Sequence, residues 1–152
     1  MNALREAIEH ATLGWIKPEL DTALAQAGQL VQAYTEQARD PGAMRLVAEL
    51  MHQVQGSLRM VELYAPAMVA GEMQALAEAV GEGHVLEHEE ACATLMRGAM
   101  QLPDYLERLQ SGHRDIPLVL MPWINDLRAS RGLPPMNEAA LFNPDLEQGL
   151  PD

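Results

Sequence analysis

Aromatic residues make up only 4% of the 152-residue chain, and cysteine occurs once. The lone Cys92 excludes an internal disulfide. Scarce aromatics beside abundant alanine, leucine, methionine and glutamate favour helix over strand. Cations are also few: 10 Lys and Arg face 22 Asp and Glu, a formal charge of -12. That balance argues against nucleic acid and anionic membrane surfaces as partners and leaves basic or neutral protein surfaces open. No apolar run is long enough to span a bilayer, and residues 1–12 carry no signal-peptide pattern, so the expectation is a cytoplasmic chain without membrane insertion. A Gly-x-x-x-x-Gly-Lys-Ser/Thr loop is missing as well, so ATP and Mg²⁺ are expected on partner domains and no cofactor here.

What is present reads as one domain built from helices. Asn2–Thr12 forms a short amphipathic segment; after Gly14, Lys17-Pro18-Glu19 looks like a helix start, and Leu20, Leu24, Ala27, Val31 and Tyr34 carry an apolar stripe to about Arg39. Asp40 caps a second helix, about Pro41 to Leu63, and Tyr64-Ala65-Pro66 makes a corner before a third, about Pro66 to Val80. A fourth spans Glu87 to Gln110 with a kink or break expected near Gln101 ahead of Pro103, and a short last helix runs from about Met121 to Arg131. The prolines in Ile116–Leu120 and its surroundings argue against a central strand there. The expected architecture is an all-α antiparallel four-helix bundle with extra helical segments at its ends, residues 1–132, followed by a Pro-rich tail, 133–152, that packs on the bundle or leads onward. Ten methionines suit an adaptable core.

On the second helix Val47, Leu50, Met51, Val54, Leu58 and Val61 gather into one apolar stripe. His52 lies off it and shares the opposite face with Gln55, Gly56 and Arg59. Glycine inside a helix costs about 1 kcal/mol relative to alanine, so Gly56 calls for a compensating reason, and close approach of another molecule beside His52 is one. An exposed histidine without a role is the plain alternative. Imidazole suits nucleophilic work near neutral pH, because its neutral form leaves one ring nitrogen with a free lone pair.

His84 and His88, with Glu87, Glu89 and Glu90, could offer metal ligands, although the flanking glycines make a solvated loop the simpler reading. Cys92 reads as a small packing residue, Ser57 as a small residue keeping the surface open, and Trp15 and Trp123 as anchors of the terminal segments.

The core His52-x-x-x-Gly56-Ser57 resembles histidine phosphotransfer domains, four-helix bundles whose solvent-facing histidine relays phosphate. The longer run His52–Tyr64, together with Trp15–Leu20, Gln101–Leu106 and Leu141–Leu146, is similar to the N-terminal domain of ChpA/PilL-type hybrid histidine kinases, which govern type IV pilus twitching motility, and to the related FimL-type scaffolds. The resemblance implies His52 as phosphoacceptor, with Gln55, Gly56, Ser57, Arg59 and Gln74 in support. Its implied partners are a response-regulator receiver domain, the kinase core of the same protein and pilus-regulatory proteins. Two positions depart from the pattern. The family's lysine three residues after the histidine is Gln55 here, and the glutamate that orients the histidine in chemotaxis kinases is matched by Gln74, with Glu72 and Glu78 as nearby substitutes. FimL-type scaffolds lack the phosphorylatable histidine, so the resemblance also implies a second reading, a docking module that does not transfer.

Overall fold

The computed structural model describes residues 2–37, 39–113 and 116–137, with the backbone alone for residues 2, 3 and 5–10. Five helices follow one another, α1 (Asn2–Glu36), α2 (Pro41–Met60), α3 (Tyr64–Gly81), α4 (His88–Gln110) and α5 (Pro117–Ser130), and there is no strand among the described residues. α1 packs on α2 and α4, and α3 packs on the same two, which closes a four-helix ring; α5 lies across α3 and α4. The short connections make sequential helices antiparallel neighbours. The all-α bundle expected from composition and periodicity is the fold observed.

The apolar stripes meet in one core. Leu20, Leu24, Ala27, Val31 and Tyr34 of α1 are buried, as are Met44, Val47, Met51, Val54 and Leu58 of α2. Asp40 caps α2 as expected: its Oδ1 accepts from the Gly42 N–H at 2.9 Å, and Pro41 occupies the first turn, where its missing N–H is no loss. At the other end, Glu62 takes a left-handed φ of 63°, its N–H bonds the Arg59 carbonyl and that of Leu63 bonds the Leu58 carbonyl. This closing turn usually carries glycine at the left-handed position. Burial of both Leu58 and Leu63 holds it here with a glutamate.

Two expectations built on proline fail, a helix start at Pro18 and a break ahead of Pro103, and the last helix begins earlier than expected. α1 is one helix through Gly14 and Pro18, α4 runs unbroken through Pro103, and α5 begins at Pro117 and contains Pro122. An interior proline costs about 3 kcal/mol in lost hydrogen bonding and clash. Burial on both sides outweighs it: Leu13 and Leu20 flank Pro18, Leu102 and Leu106 flank Pro103, and Leu120 and Ile124 flank Pro122, all inaccessible or nearly so. α3 likewise starts at Tyr64, so the corner expected at Tyr64-Ala65-Pro66 is already its first turn.

α1 and α4 are also tied by charge. Lys17, 8% exposed, holds Asp21 of its own helix and Glu107 of α4, each at 2.7 Å. Burial pulls the Lys17 pKa down, but the two carboxylates outweigh it and leave it above its ordinary value.

Trp15 is 87% exposed and anchors nothing among the described residues, contrary to expectation. Trp123 packs edge-on to Tyr105 at 6.3 Å and joins α5 to α4. Glu72 of α3 binds both Arg128 and Arg131, at 3.4 and 2.9 Å, and so ties α5 to α3. Just past α5, the Pro134 carbonyl accepts from Arg128 Nε and the Met136 N–H bonds Asn125. The remainder of the expected tail, 138–152, including Leu141–Leu146, lies outside the described residues.

Candidate functional site

His52 sits at the middle of α2, exposed, opposite the helix's buried stripe. α3 brings Gln74 to it: His52 Nδ1 donates to Gln74 Oε1 at 3.3 Å. An amide oxygen can only accept, so this bond puts the ring proton on Nδ1 and leaves the lone pair on Nε2.

The other predicted residues divide. Gly56 is exposed one turn further on, and a Cβ placed there would meet nothing within 4 Å. The fold itself therefore makes no demand for glycine at this position. Gln55 does not flank the imidazole from the solvent side; its amide lies over Gly71 of α3, where an added Cβ would stand 2.8 Å from Gln55 Nε2. Ser57 and Arg59 are half-buried on the same helix, C-terminal to the histidine. Neither carboxylate suggested as a substitute for Gln74 replaces it. Glu72 is engaged by the two arginines of α5, and Glu78 is exposed one turn beyond Gln74.

A groove of about 650 Å³ runs from His52 toward the start of α2 and the end of α3. Arg45, Glu49, Gln53, Gln74 and Glu78 line it with the histidine. Glu49 and Arg45 were missed by sequence reasoning, although they stand three and seven residues before His52 and so share its face. The groove thus presents more carboxylates than cations, in keeping with the charge of the whole chain.

The second histidine cluster does not assemble. His88 turns to α1, where its Nε2 lies 2.8 Å from the Tyr34 hydroxyl and its ring stacks on Tyr34. His84 pairs with Glu82 in the loop at 3.2 Å. Among the described residues no three His, Cys, Asp or Glu groups converge as a metal site. Cys92 is buried, and burial pushes its thiol pKa up, the reverse of what a reactive cysteine needs.

The four-helix ring has a counterpart among known families. The Hpt domain family matches residues 11–112, from within α1 to just past α4. This chain belongs to the Hpt domain family. The Hpt domain is also 26% identical over 136 residues to the scaffold protein FimL of Pseudomonas aeruginosa. That alignment covers 90% of this chain but 24% of FimL, so the chain spans about a quarter of the relative's length. No solved structure matches it. α5 lies beyond the part of this Hpt domain that the family match covers. No helix of the described residues is long and apolar enough to cross a membrane.

Proposed function

We propose that His52 is a phosphoacceptor, and that this Hpt domain serves a longer, cytoplasmic, chemotaxis-type sensor kinase controlling type IV pili. The observation that supports the reading is the contact of His52 Nδ1 with Gln74 Oε1, which favours the tautomer a nucleophilic Nε2 requires. In the forward step the Nε2 lone pair attacks phosphorus and an N–P bond forms. The P–O bond of the donor breaks, and its electron pair leaves on an aspartate carboxylate of a receiver domain or on ADP in a kinase core. The ring proton stays on Nδ1, and Gln74 steadies the positive charge that develops on the imidazole. The return step reverses each change. ATP and Mg²⁺ belong to the partner, which supplies the phosphoryl group while this domain supplies the nucleophile.

A second reading, a docking module without transfer, draws on two observations. Gln55 is neutral and lies over Gly71, and the groove beside His52 is richer in carboxylates than in cations, which would repel a phosphoryl group. The name of FimL, a scaffold protein, points the same way.

Incubation with a phosphorylated receiver or with the kinase core separates the two readings. An acid-labile, base-stable label lost in His52→Gln is the result expected for transfer. A wild-type domain that stays unlabelled while a sister Hpt domain is labelled leaves the docking reading standing.

A further inference from the structure

α1 carries two apolar stripes on opposite sides. Leu13, Leu20, Leu24, Ala27, Val31 and Tyr34 face the core. Leu4 and Trp15 are 69% and 87% exposed, and Ala11 is exposed between them. At about 100° per residue these three fall within about 40° of one another and about 160° from the core stripe. In sequence Ile8 fills the step between Leu4 and Ala11, and the steps of four, three and four residues are those of a coiled-coil seam. Further along the same line the exposed residues are polar: Thr22, Gln26 and Gln29.

The outward stripe is apolar only where α1 leaves the bundle. α1 is 35 residues long, against 20 in α2 and 23 in α4. A Cβ added at Gly14 would stand 3.3 Å from the side chain of Gln110, the last residue of α4. The backbone of residues 2–12 therefore continues the helix past the end of α4. An isolated helix of that length is marginal in water, but here the buried remainder of α1 supplies the nucleus.

Self-complementarity and charge identify the occupant of the seam. Two such segments laid antiparallel about a two-fold axis set Leu4 against Trp15 of the second copy and Ile8 against Ala11, so every step of the seam meets an apolar partner. The chain carries -12, yet its first 17 residues hold two cations, Arg5 and Lys17, and two acids, Glu6 and Glu9. Both acids fall in register with Leu13, on the side away from the seam. Antiparallel pairing also keeps the acidic bundles about 14 Å apart along the axis, beyond the Debye length of about 8 Å at physiological salt. An anionic membrane surface would instead call for lysine and arginine on the polar side, where Glu6 and Glu9 stand. We infer that the first turns of α1 pair antiparallel with the same segment of a second copy, across a seam of Leu4, Ile8, Ala11 and Trp15. His52 lies on α2, outside the seam, so this pairing and the phosphoacceptor reading stand or fall separately.

The test is sedimentation equilibrium of the full chain from about 10 µM to about 1 mM. A seam this short buries less than a standard stable interface, so a monomer–dimer equilibrium with a Kd on the order of 100 µM is expected. Trp15→Glu and Leu4→Glu should each weaken it about tenfold or more, since each buries an unpaired charge in the seam. Both side chains are exposed in the monomer, so the thermal midpoint at low concentration should not move. Gln29→Glu adds the same charge to the polar end of the face and should change the Kd less than about twofold. Ile8→Cys mixed with Ala11→Cys in a glutathione buffer should give chiefly the mixed disulfide, while Cys92 stays buried. Disulfides chiefly between like copies overturn the antiparallel arrangement. A chain still monomeric at about 1 mM, or a dimer that Trp15→Glu leaves intact, overturns the inference. So does Trp15-dependent flotation with phosphatidylglycerol vesicles, which would give the seam to a membrane.

Discussion

His52 and Gln74, 22 residues apart in sequence, meet across the α2/α3 packing through one 3.3 Å hydrogen bond. The imidazole is thereby oriented by an uncharged acceptor. An amide steadies the positive charge of the phosphotransfer transition state less than a carboxylate would. Gln74→Glu is accordingly expected to speed labelling of His52 by a phosphorylated receiver about tenfold. Gln74→Leu, which removes the acceptor while keeping the bulk, should slow it by a similar factor, and single-turnover kinetics would show either change. Equal rates in all three proteins would mean that this bond does not set the tautomer that reacts.

Gly56→Ala separates folding from recognition. Nothing of the fold crowds a Cβ there, so the helix should gain about 1 kcal/mol and the thermal midpoint should rise about 3 °C. A partner that approaches the backbone beside His52 would meet the new methyl. Transfer from a receiver should then fall further than labelling by phosphoramidate.

The buried titratable groups predict alkaline sensitivity. Cys92 and Tyr34 have pKa values raised first by burial, and Lys17 has its pKa raised because two carboxylates outweigh burial. All three hold their protons more tightly when folded, so their contribution is complete below the ordinary values and is lost as pH rises. Stability should fall from about pH 9, the ordinary value for the thiol, and more steeply above 10.5, that of lysine. Lys17→Met keeps the stem packed but removes the tie to Glu107. It should cost about 1–2 kcal/mol at neutral pH and flatten the uppermost part of the profile, measured by urea unfolding across the pH series.

Glu72→Ala should act locally. With its carboxylate gone, Arg128 and Arg131 lose their partner on α3, and α5 should exchange its amide hydrogens faster, by about tenfold or more. The amides of α2 should keep their protection.

Much of this arrangement was legible in the sequence. The stripe of α2, its Asp40 cap and the position of His52 off that stripe follow from side-chain periodicity and local chemistry alone. Gly83, Gly112 and Gly132 mark the ends of α3, α4 and α5, and each does take a left-handed φ. The end of α2 has no such mark, because there the closing turn is held by buried Leu58 and Leu63 around a glutamate. Pro18 and Pro103 misled for a related reason. Their local cost is fixed by residue type, whereas the burial that overrides it depends on which helices lie alongside. The pairing of His52 with Gln74 came from the resemblance. The lodging of Gln55 over Gly71 and the engagement of Glu72 by α5 depend on the facing of neighbouring helices, which no single helix records.

α5 places Leu120, Ile124 and Leu127, none more than 1% exposed, in the same core as α3 and α4, yet the family match stops at residue 112. A fragment trimmed to the matched region would uncover the apolar side of both helices and leave Glu72 without its arginines. Such a fragment would be prone to self-association in the test tube, and loss of phosphotransfer in it would say nothing about His52. For this chain, the unit to excise, swap or fuse includes the fifth helix.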